Sequence, residues 1–170
     1  MRQAFAQVPP MLQQANQWMA AGNYSQAAEA FGQLARGAED RFPERAPFLY
    51  LQAGQAAVLG GETKAGVAHL RRGLTILAAQ GRYRKMRIFG RRIVDELNER
   101  GLTREANEIA QLLKGNLPAQ PEAVTTPARR PTLPTHCPSC GAAMRIDEVE
   151  WMDDVTAECA YCGSPVRGDG

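Results

Sequence analysis

The chain has 170 residues, 44% of them hydrophobic and 22% charged, and a formal charge of +2 at neutral pH. That length allows one or two ordinary domains, and no stretch approaches the roughly 18 consecutive apolar residues of a membrane span. The small total charge hides an uneven distribution: residues 1–117 carry 16 basic and 10 acidic side chains, whereas from His136 onward seven acids face two bases, so the two ends have opposite sign.

Met1–Met11 holds one arginine and two prolines but no apolar run of leader-peptide length, so a cytoplasmic, reducing location is expected. Residues 9–114 read as almost wholly helical, punctuated by Gly22, Gly60-Gly61, Gly81 and Gly101. Six helices are predicted, near 9–21, 24–37, 45–59, 62–79, 82–100 and 102–114. Pro9-Pro10 suits the first turn of the first helix. Short connections make successive helices antiparallel neighbours.

Aligning Gly22, Gly61 and Gly101 gives a repeat with spacings of 39 and 40 residues. Ala15 and Gly54 then stand midway along the first helix of a pair, and Ala27, Gly66 and Ala106 early in the second. Small residues at these points let two helices cross closely. In these features residues 8–114 resemble the tetratricopeptide-repeat family. The third unit departs from the pattern, with Val94 at the small position, and the period exceeds the family's usual 34 or so. An unrelated helical bundle with coincident glycine turns is the alternative. The resemblance implies antiparallel helical hairpins stacked as a solenoid, whose first helices build a concave face. That face would hold Leu12, Gln13, Asn16 and Met19, then Phe48, Leu51, Gln52, Gln55 and Val58, then Arg91, Arg92, Asp95 and Asn98. Amides and arginines among apolar side chains suit a bound peptide or helix, though Phe48, Leu51 and Val58 would serve equally as core.

A basic run comprises Arg71, Arg72, Arg82, Arg84, Lys85, Arg87, Arg91 and Arg92, within 22 residues that contain no acid. Nucleic acid is the partner such a run first suggests. The acidic C-terminal part favours instead a protein or peptide partner of acidic character, or that part itself. The candidate partner-binding residues are therefore Asn16, Phe48, Leu51, Gln52, Gln55, Arg84, Lys85, Arg87, Arg91 and Arg92.

Residues 115–135 turn to proline, alanine and threonine without periodicity and read as a semi-rigid linker. Beyond it, Cys137-Pro138-Ser139-Cys140-Gly141 and Cys159-Ala160-Tyr161-Cys162-Gly163 place two Cys-x-x-Cys pairs 18 residues apart. That spacing lies in the window of about 15–20 for a four-thiolate zinc site. Cys137, Cys140, Cys159 and Cys162 are the predicted ligands of one Zn²⁺, and a closed four-sulfur site is structural. Two disulfides or four free thiols are the alternatives, and a reducing compartment disfavours the disulfides. Residues 136–170 resemble the zinc-ribbon family. A β-hairpin is predicted with arms at Glu148–Met152 and Val155–Glu158 around Asp153-Asp154, and a third strand near 142–146 or 164–167. Rubredoxin uses similar turns to hold iron, but its loop is longer.

Only two histidines occur. His136 abuts the first cysteine and reads as exposed, with a ligand or supporting role as the alternative; His69 reads as a helix-face residue. No phosphate loop or nucleophile elbow is present, and no paired carboxylates outside the acidic C-terminal part. The expected fold is mainly α, antiparallel helical hairpin repeats plus a small C-terminal β zinc ribbon, and the expected role a noncatalytic adaptor or scaffold. The alternatives are a nucleic-acid-binding factor and a RING-like accessory of a ubiquitin-like modification pathway. Because a repeat array normally needs a terminal cap, the apolar flank of the last helix (Leu102, Ile109, Leu112, Leu113) is expected to be covered by the ribbon. Its acids would face Arg84, Lys85, Arg87, Arg91 and Arg92 in a weak, salt-sensitive contact, and helices and ribbon would unfold separately.

Overall fold

The computed structural model describes residues 8–118 and 131–169. Six helices come first: α1 (Pro10–Ala21), α2 (Tyr24–Arg41), α3 (Ala46–Leu59), α4 (Thr63–Ala79), α5 (Tyr83–Glu99) and α6 (Thr103–Asn116). Three short strands follow, β1 (Glu150–Trp151), β2 (Thr156–Glu158) and β3 (Pro165–Arg167), as one antiparallel sheet in the order β1-β2-β3. The hairpin sits where the alternation around Asp153-Asp154 places it, and the third strand takes the later of its two predicted positions. Of the predicted linker, residues 119–130 lie outside the described residues.

The helices pack in consecutive pairs, and the small residues account for the closest approaches. A Cβ added to Gly54 would lie 2.6 Å from Leu70 Cγ and 2.8 Å from the Gly66 carbonyl oxygen, so α3 and α4 cross almost backbone to backbone. Ala15, Ala27 and Ala106 are likewise fully buried. In the third pair the close approach shifts one turn earlier. A Cβ on Gly90, not Val94, would meet Leu113, at 2.3 Å from its Cδ2.

Two helix ends differ from expectation. Gly37 does not end α2, which runs on to Arg41 with open space around Gly37; Phe42, which precedes Pro43, leaves the helical region instead, as a residue before proline tends to. Likewise α6 continues to Asn116, and Leu117 turns extended before Pro118. Helix α3 is central: from Ala46 to Val58 only Gln55 is not fully buried. Wrapped by α2 and α4, its remaining face is covered by the cysteine-bearing segment. Buried residues of the helices and of that segment, among them Phe48, Phe89, Ala142, Val149 and Tyr161, form one continuous core. A sheet of two- and three-residue strands has little apolar area of its own, and it shares one continuous core with the helices, so a single unfolding transition is the outcome to test against the expected separate ones.

Candidate metal centre and its helical seat

Each cysteine pair sits on a tight turn. Gly141 and Gly163 donate their N–H groups to the carbonyls of Cys137 and Cys159, at 2.8 and 2.9 Å. Both glycines have φ near +80°, a region a side chain disfavours, which explains why glycine follows the second cysteine each time. The turns point all four sulfurs inward. Cys137 Sγ and Cys162 Sγ are 3.8 Å apart, as are Cys140 Sγ and Cys159 Sγ, and all four lie within 4.8 Å of one another. A tetrahedron with metal–sulfur bonds of about 2.3 Å has edges of about 3.8 Å, whereas a disulfide needs about 2.05 Å. The four buried, unbridged cysteines can therefore hold one metal ion.

The four sulfurs crowd one another enough to perturb each other's protonation. The four thiols are close enough to share protons. Cys140 is pushed far above the usual thiol range, chiefly by the Cys137 sulfur, while Cys137 is held far below it, chiefly by Cys140. Amide groups of Ala142 and Ser164 approach Cys140 Sγ and Cys162 Sγ at 3.5 Å, as donors to thiolates do. Tyr161, between the second pair, is buried beside Phe48 with ring centroids 6.2 Å apart, and burial raises its phenol's pKa. His136 is exposed; its ring faces Thr135 Oγ1 at 3.1 Å and is not one of the clustered ligands.

The segment is seated on α1, α3 and α5, the face that the repeat register predicted to be concave. Asn16 donates to the Cys140 carbonyl at 2.9 Å and Gln13 to that of Ser139 at 2.9 Å. Phe48 meets Tyr161, and Leu51 and Gln52 are buried beneath the segment. Lys85 donates to the Glu148 carbonyl. Arg92 pairs with Asp147 at 2.8 Å and with Glu148. Gln55 borders a cleft of about 110 Å³ that the segment leaves open between α3 and α5, with Phe89, Ile93 and Arg145. Arg84 and Arg91 are exposed and Arg87 partly so, outside the seat.

Two participants escaped the sequence reading. Arg45, only 1% exposed, donates to the carbonyls of Cys159 and Ala160 at 3.1 and 3.2 Å and pairs with Glu158. Arg82 lies 4.8 Å over the Phe48 ring and 3.8 Å from Glu150; it was counted only as part of a basic run. Glu148, 6% exposed, is one of the acids expected to face the α5 arginines and pairs with Arg92. A single arginine between Pro43 and Pro47 carries no periodic or motif signal, so only the tertiary contact reveals it.

Of the basic residues expected to face the docked segment, Lys85 and Arg92 do so, whereas the expected cover of the α6 flank does not form. The segment's hydrogen bonds and ion pairs among the described residues run to α1, to α3 with its N-cap, and to α5 with its N-cap, and none to α6. The apolar flank of α6 instead packs on the preceding helices, with Leu113 against Gly90. Comparison of the chain with protein-family models, with curated proteins and with solved structures gives no significant match.

Proposed function

We propose that this chain is a noncatalytic protein-interaction adaptor. In this reading a tetratricopeptide-like helical scaffold carries a structural zinc ribbon in its own concave groove and binds an acidic protein partner through the outer face of α5. Of the side chains expected to hold a peptide, Asn16, Phe48, Leu51 and Gln52 lie under the ribbon, so this reading puts the partner on the exposed arginines of α5. The observation that carries the proposal is how the basic run divides. Arg71 faces Glu108, Arg72 binds Glu39, Arg82 faces Glu150, and Lys85 and Arg92 contact the ribbon. Arg84, Arg87 and Arg91 have no ion-pair partner among the described residues, and their i, i+3, i+7 spacing gathers them on one helix face. Arginines presented in this way suit carboxylates, which they bind in bidentate fashion. Zinc suits four thiolates at tetrahedral spacing, and supplies cross-linking energy to a segment whose sheet is very small.

Elemental analysis of the purified chain is expected to give close to one zinc per molecule. A ubiquitin-ligase RING takes about eight ligands, and the described residues supply one cluster of four. For the partner, native-host pull-downs with the wild type and with Arg84→Glu/Arg87→Glu/Arg91→Glu are compared by mass spectrometry. A partner bearing an acidic segment, retained by the wild type and lost by a variant with unchanged zinc content, is the expected outcome; identical partner sets sink the proposal. Nucleic acid should bind weakly and with steep salt dependence, since half of the basic run is ion-paired within the chain. Submicromolar binding of a defined RNA or DNA at physiological salt would replace the adaptor by a nucleic-acid factor.

A further inference from the structure

The two thiolate turns are gripped from outside by two different helical elements. On the first turn, Asn16 of α1 donates to the Cys140 carbonyl, and its Nδ2 also reaches the Leu12 carbonyl at 3.1 Å, which locks its rotamer. On the second, the Arg45 guanidinium at the start of α3 spans the Cys159 and Ala160 carbonyls and Glu158. Both side chains are buried, at 9% and 1% exposure. The sheet cannot do this work alone. It carries the second turn, at the β2–β3 connection, while the first turn lies outside it on the isolated His136–Ala143 bridge. A buried guanidinium is costly to desolvate unless its charge is met; Glu158 and two carbonyls engage the terminal nitrogens of Arg45, while its Nε makes no hydrogen bond. Here it sits against a centre that keeps a net charge of −2 when four thiolates hold a divalent ion.

We infer that Asn16 and Arg45 are positioning residues for the metal: they fix the two cysteine turns relative to each other, so that the helices raise metal affinity and the metal in turn holds the ribbon over the groove. The inference rests on the metal-binding reading. Side chains that orient ligands from outside the coordination sphere commonly change metal affinity by 10–100-fold. By linkage, the free energy that the helices add to metal binding equals the free energy that the metal adds to ribbon docking.

Lys85 reports on docking. It is 5% exposed beneath the ribbon, whereas the chain's other two lysines, Lys64 and Lys114, are exposed. The full chain is assayed for zinc affinity against a chromophoric chelator, for its cobalt(II) thiolate absorption, and for lysine acetylation by an N-hydroxysuccinimide acetate mapped by mass spectrometry. In the wild type, Lys85 should be protected until zinc is chelated, with Lys64 and Lys114 labelled throughout. Asn16→Asp and Arg45→Gln should weaken zinc at least tenfold, shift the cobalt spectrum, and expose Lys85 at chelator concentrations that leave the wild type protected. Arg45→Lys should restore part of the affinity, and Arg71→Gln, on the far surface, should change nothing. The helical circular dichroism of the zinc-saturated variants should match the wild type. Should Arg45→Gln fail to fold, Gln13→Ala, which removes one exposed bond to the first turn, should still weaken zinc a few-fold. Variants that bind zinc as tightly as the wild type, or a chelated wild type that still protects Lys85, overturn the inference. A wild type that takes up neither zinc nor cobalt refutes the metal reading itself, and its metal content alone distinguishes that failure from loss of the positioning role.

Discussion

His69 shows what burial does to a residue that sequence left neutral. Its ring stacks on Tyr50, with centroids 6.0 Å apart, and Tyr50 donates to Glu39 at 2.7 Å while Arg72 binds the same carboxylate. Partial burial, and then the nearby Arg36 charge, lower the His69 pKa below 6.5. The folded chain therefore resists a proton that the unfolded chain accepts. Stability should be constant above about pH 6.5 and fall as pH drops from there through the folded pKa. The urea midpoint should decline between pH 7.5 and 5, and the decline should be shallower in His69→Gln; parallel profiles would show that His69 does not contribute. At the tip of the β1–β2 hairpin, Asp153 accepts N–H bonds from Val155 and Thr156 at 2.8 and 2.7 Å, which lower its pKa and close the hairpin. That turn was legible, because an aspartate bonding its own backbone two residues on is a local device.

Among the elements, helix–helix spacing is where glycine position matters. Gly54 and Gly37 are both helical glycines, yet they predict opposite outcomes. Gly54→Ala forces a methyl into Leu70 and the Gly66 carbonyl and should destabilise by about 1–3 kcal/mol, the usual cost of overpacking. Gly37→Ala meets nothing within 4 Å and should stabilise by up to about 1 kcal/mol through helix propensity. Chemical denaturation of both variants checks the pair, and equal shifts would contradict the packing account. The same contrast explains a misreading. The predicted helix end near residue 37 falls on Gly37, but a glycine in open solvent does not by itself end a helix, and α2 runs on to Arg41. The third pair makes a related point, since contact with Leu113 selects Gly90 over the aligned Val94.

At the scale of the molecule, the shared core predicts one unfolding transition. Helical circular dichroism and Tyr161 or Trp151 fluorescence should melt together, and zinc at 100 times its dissociation constant should add about 2.7 kcal/mol to the helices as well as to the ribbon. Two separate transitions would restore the independent-unit expectation. Docking should also resist salt, because Arg45, Lys85 and Glu148 are buried and buried pairs are screened little; small-angle scattering should give the same radius at low and high salt. The positions of six helices, the hairpin and the cysteine cluster were legible in the sequence because each depends on local signals: glycine and proline punctuation, alternation, and a fixed cysteine spacing. Only the tertiary structure decided where the ribbon sits, that Arg45 and Asn16 hold its turns, and which arginines remain outward. Those outcomes depend on pairing charges and carbonyls more than 100 residues apart in the chain, and no periodicity along a sequence encodes such a meeting.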